Sequence, residues 1–199
     1  MGFRQFQDAL ARFEHSSAVV VRHHAFELDA HAPLVYPGSL DEMLAAKYAV
    51  TVAQASELNG RVRDTARQLG MTWSLDLVRP ANTFDAHRVI AHAATQQRQD
   101  AMIERLFRAY FSDGYLISDR ETLSTIALEA GVVETDRMLA SNEFVEVVRH
   151  DEHLASKIGI TGVPAYIFDG HLFVSGAQGS DAMLDAMHTA WAERGEQSA

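Results

Sequence analysis

Apolar residues recur along this 199-residue chain mainly at helical intervals, and strand patterning is confined to two places. Near the start, Phe3, Phe6, Leu10 and Phe13 fall three or four residues apart, which predicts an amphipathic helix over residues 3–14. No N-cap precedes it, and Ser16-Ser17 breaks it. AVVVRHHAF follows and predicts a strand. Its Val19-Val20-Val21 run has the continuous apolar character of a strand buried on both faces of a parallel sheet.

The middle of the chain is helical. Ser39 with Glu42 and Thr51 with Gln54 form capping boxes ahead of two helices, the second ended by Gly70. TWSLD is a short candidate for extended structure. From Asn82 the helical pattern resumes, with Ile103, Leu106, Phe107, Tyr110 and Phe111 on one face. Ser118 with Glu121 marks a further start, with Leu123, Ile126 and Ala127 as its apolar positions. Ser141 is the expected cap of a helix carrying Phe144, Val145, Val148, Leu154 and Ile158, which Gly159 ends.

TGVPAYIFDG, residues 161–170, is the second strand signal. Proline has no N–H for a ladder, and it pushes the residue before it into an extended conformation. Pro164 therefore opens a strand, AYIF, that Asp169-Gly170 turns tightly into HLFVSG. GSDAMLDAMHTAWAERG is a final helix with Ser180 or Asp181 as N-cap. The order is helix, strand, several helices, hairpin, helix. A buried parallel strand needs a neighbour joined through a right-handed crossover helix. The crossover helix is present and its first strand is not, so the chain is expected to begin inside a βαβ unit.

Composition narrows the chemistry. A formal net charge of −10 argues against nucleic acid as a partner. No apolar run approaches the roughly 18 residues of a membrane span, and the N-terminus lacks the apolar core of a signal peptide, so a cytoplasmic protein with no membrane partner is expected. Cysteine is absent, which excludes disulfides, thiolate metal sites and a cysteine nucleophile within these residues. Of the ten histidines, His23 and His24 point to opposite faces of a strand, while His150, His153 and Glu146 share a helix without a recognised metal pattern. No metal or other cofactor is expected. Asp85 and His87, in NTFDAHR, are assigned to helix packing, with Asn82 or Thr83 capping.

RHHAFELD, SLDEMLAAKY, RPANTFDAHR, ERLFRAYFSDG and GITGVPAYIFDGHLFVSGAQ together resemble the DsbA branch of the thioredoxin superfamily, specifically its FrnE-like members. The resemblance runs over nearly the whole chain, in order. It implies an α/β fold: a thioredoxin-like core formed by residues 1–30 and 155–199, with an all-helical domain, 31–154, inserted. It also implies that Val163-Pro164 is a cis peptide at the substrate site. The family's Cys-x-x-Cys would stand immediately before MGFRQF. Met1 is accordingly read as an internal methionine, with the first strand and both thiols upstream. No catalytic residue is assigned within these residues. Val163 and Pro164 are the expected substrate contacts, for a thiol or disulfide peptide or a small molecule. Glutathione-using relatives, such as 2-hydroxychromene-2-carboxylate isomerase, carry a Ser-Asp pair at the last helix that Ser180 and Asp181 resemble. A glutathione-dependent isomerase or transferase is thus one alternative, and a binding protein without chemistry is another, its sheet completed by a homodimer.

Overall fold

Helix α1, Gly2–Arg12, turns Gln5, Phe6 and Ala9 inward, and Phe13 follows them into the core at its C-terminal end. The computed structural model describes residues 1–197. They divide into two compact units, Met1–Leu28 with the stretch from Leu154 onward, and Asp29–His153.

In the first unit, β1 (Ala165–Phe168) and β2 (Leu172–Ser175) form a two-stranded antiparallel sheet in which Tyr166 faces Val174 and Phe168 faces Leu172. Asp169 and Gly170 both have positive φ, +47° and +80°. Two such residues make the turn whose twist matches the flanking strands, and Asp-Gly is one of the few pairs that adopt it cheaply. Tyr166, Phe168 and Val174 pack on a core of Phe6, Ala9, Phe13, Met183 and Met187. The methionines belong to α9, Ser180–Gln197. Ile167 and Phe173, on the other face of the hairpin, are about half exposed.

The expected strand at residues 18–26 does not form. A turn of 3₁₀ helix at Ser16–Ala18 leads into irregular backbone, and Val20 is 78% exposed. β-propensity needs a ladder to act through. No strand pairs with this stretch among the described residues. The final helix also starts one residue early: Ser180 is its first helical residue, and the Met183 N–H donates to Gly179 O, so the cap position falls to Gly179 rather than Ser180 or Asp181.

The second unit is helical: α2 (Leu40–Tyr48), α3 (Val52–Gln68), α4 (Phe84–Thr95), α5 (Gln99–Phe111), α6 (Arg120–Glu129), α7 (Thr135–Leu139) and most of α8 (Val145–Lys157). Both capping boxes are present at α2 and α3. The core is Val89, Met102, Leu106, Leu123, Ile126, Met138 and their neighbours.

Four readings change here. The pattern from Asn82 is two helices. Gln97 takes φ +59°, and Gln96 turns its side-chain amide onto both backbone groups of Val133, at 3.0 Å each, pinning the break. Ser118 does not cap α6, because its hydroxyl donates to Leu34 O. The stronger acceptor beside it, the Asp119 carboxylate, takes the Thr122 N–H at 2.8 Å. Ser141 accepts from the Glu143 N–H in a local turn, and α8 begins only at Val145. TWSLD holds the start of a 3₁₀ turn, Leu75–Leu77, instead of a strand.

Arg88 binds this unit together. It is 2% exposed. Its guanidinium donates to Glu143 O at 3.0 Å, Met138 O at 3.0 Å, Ser141 O at 2.6 Å and the Asp85 carboxylate at 2.7 Å. The last turn of α7 and the loop that follows it are thereby tied to α4. Among the described residues no helix is long and apolar enough to cross a membrane.

Candidate functional site

The Val163-Pro164 bond is cis. Pro164 enters the hairpin without an N–H to offer, but its carbonyl accepts from Gly176 N at 2.8 Å, which extends the ladder beyond β2. Val163 stands just outside that ladder, 48% exposed.

The first turn of α1 lies against this proline. A Cβ placed on Gly2 would fall 2.6 Å from Pro164 Cγ and 2.7 Å from the Tyr166 hydroxyl. Both distances are far inside van der Waals contact, so glycine is what allows the helix start to seat on the ring. Phe6, one turn along, stacks on Tyr166 with ring centroids 5.6 Å apart. Burial in this sandwich pushes the Tyr166 phenol up to about 12, keeping it neutral across the working range of pH.

The two predicted site pairs meet different parts of α1. Val163 and Pro164 lie at its N-terminal end. Ser180 is half-buried at the start of α9, while Asp181 is exposed and pairs with Arg12 at 2.8 Å. Gln5 joins the two regions, since its side-chain carbonyl accepts from Gly179 N at 3.2 Å. Tyr166, Gln5 and Arg12 went unremarked in the sequence. Gln5 carried a signal, as a polar residue on the inward side of an apolar stripe. Arg12 carried none, because its partner lies at the far end of the chain. Among the described residues no three His, Asp or Glu side chains converge as a metal site would require.

A helix N-terminus seated on a cis-proline that opens a β-hairpin, with helices inserted between, defines the thioredoxin fold in its helical-insert form. The chain belongs to the DSBA-like thioredoxin domain family, whose model matches residues 1–188. A solved structure, that of a probable DsbA oxidoreductase from Streptomyces coelicolor, is 32% identical with a TM-score of 0.91. The match covers 96% of this chain and 84% of that one. No curated protein matches.

Proposed function

We propose that this chain serves thiol–disulfide exchange in the manner of FrnE-like proteins of the cytoplasm, with its reactive thiols on a segment preceding Met1. The observation that carries the reading is the contact of Gly2 with Pro164. It brings the positive end of an 11-residue helix to the turn at which an extended substrate would dock. A thiol held at that end loses its proton more readily, because the helix N-terminus stabilises the thiolate. The thiolate attacks one sulfur of a substrate disulfide and forms a mixed disulfide. The other substrate sulfur leaves as a thiolate. Val163 would align the substrate by pairing its backbone as an added strand, and Pro164 would supply the flat wall beside the reacting sulfurs. A peptide or small-molecule disulfide fits this arrangement. Glutathione held by Asp181 would have to displace Arg12 from its 2.8 Å pair.

The test is the intact mass and thiol content of the protein from its source cells. The expected result is a mass above 22.0 kDa and alkylation of two cysteines in one N-terminal peptide. The 199-residue chain alone should then leave the reduction of insulin by dithiothreitol at its uncatalysed rate. A native protein of 22.0 kDa without an alkylated thiol would overturn the proposal.

A further inference from the structure

The helical unit holds a recess of about 380 Å³ that the exchange chemistry does not use. It opens where three helices begin: Phe84 and Asp85 come from α4, Arg120 from α6, and Val145 from α8. Its charged groups are Arg88, Arg120 and Asp85. Arg88 is fully engaged with three carbonyls and Asp85. Asp85 is engaged as well, one oxygen on Arg88 and the other on Arg120 Nε at 2.8 Å. Arg120 is different. Only its Nε is committed, its side chain is 60% exposed, and its two terminal nitrogens make no hydrogen bond among the described residues.

Two cations and one anion leave the recess with an excess positive charge, in a chain whose net charge is −10. That balance favours a singly charged anion, since a dianion would be opposed by Asp85 at close range. The outward fork of a guanidinium matches the two oxygens of a carboxylate. The positive ends of α4, α6 and α8 add to the same field. Leu34, Phe84, Leu139 and Val145 supply apolar wall, and the volume lies in the range of small-molecule pockets.

We propose that this recess binds a small organic monocarboxylate, with its carboxylate on the terminal nitrogens of Arg120 and its apolar body against Phe84, Leu139 and Val145. The recess is lined by residues of the helical unit alone, and the proposal does not depend on the exchange reading.

Calorimetric titration of the full chain with phenylacetate tests it, with phenylacetamide and inorganic phosphate as comparators. Phenylacetate should bind saturably, and each comparator roughly tenfold or more weakly, as expected for loss of a charged hydrogen bond or of the apolar contact. Arg120→Gln should weaken phenylacetate by a similar factor. Val145→Phe, which fills the recess and leaves every charge in place, should do the same, and circular dichroism melting would verify that each variant is folded. Absence of phenylacetate binding would overturn the proposal. So would equal binding of the amide or of phosphate, or binding unchanged in either folded variant.

Discussion

Among the described residues it is the helical unit, and not the other, that buries a guanidinium. In the helical unit a guanidinium is taken out of water and given four protein acceptors, as Arg88 shows. In the other unit Arg12 pairs with Asp181 at the surface, and the exposed rings of His188 and His171 hydrogen-bond to the Glu14 and Glu193 carboxyl groups. The buried polar residues of that unit include a neutral amide, Gln5, and a carboxyl group, Glu27, 8% and 7% exposed. A buried ion holds its surroundings strongly because breaking the arrangement strands the partner groups, whereas an exposed pair exchanges one solvated state for another. In the helical unit one buried side chain therefore fixes α7 and the loop after it on α4, beside an apolar core. The thioredoxin-like unit is organised by the close fit of α1 to the hairpin and α9.

The sharpest break in that comparison is Arg88→Ala. It should destabilise the protein by about 3–5 kcal/mol in urea denaturation, because three carbonyls and Asp85 lose their donor together. Arg12→Ala, which removes a surface pair, should cost less than about 1 kcal/mol. Equal losses would mean that burial does not separate the two units.

A glycine pair probes fit in place of charge. Gly2→Ala puts a methyl against a proline ring and a half-buried phenol, and overpacking of that kind costs about 1–3 kcal/mol. Gly60, inside α3, has nothing within 4 Å of its would-be Cβ. Gly60→Ala should stabilise by about 0.5–1 kcal/mol, the propensity difference alone. Thermal melts of both variants should thus move in opposite directions.

The smallest effect belongs to His171. Its proton affinity is raised above the ordinary value of 6.5, first by the Glu193 carboxylate and then by the Asp169 carbonyl. A group whose folded pKa is raised contributes stability that is fully present below its unfolded value and is lost as pH rises through the folded one. The tie between hairpin and α9 should therefore weaken above pH 6.5. An NMR titration of the His171 ring should give a midpoint above 6.5, returning toward that value in Glu193→Gln.

Local signals in the sequence survived folding, and long-range ones did not exist to be read. The Ser39–Glu42 and Thr51–Gln54 boxes each close within four residues, and the Asp169-Gly170 turn is set by the conformations those two residues tolerate. Ser118 misled because two capping residues stand side by side, and the choice went to Asp119 once Leu34 claimed the hydroxyl. The valines at 19–21 carry strand propensity, but a ladder depends on another segment. Arg88 looked like any charged helix residue, since its carbonyl partners lie fifty or more residues along the chain. In the site, Pro164 and its turn were legible, as was the final helix. The seating of Gly2 on that proline was not, because nothing in MGFRQF names its neighbour.

The boundaries of the helical unit, Asp29 and His153, have an evolutionary consequence. The conformational cost of closing a loop grows only with the logarithm of its length, about 0.6 kcal/mol for each doubling. Selection can therefore change the length of the connections between Leu28 and α8 at little thermodynamic penalty, while Gly2, Pro164 and Tyr166 keep their contacts. Such a layout leaves the proline turn untouched when those connections change length.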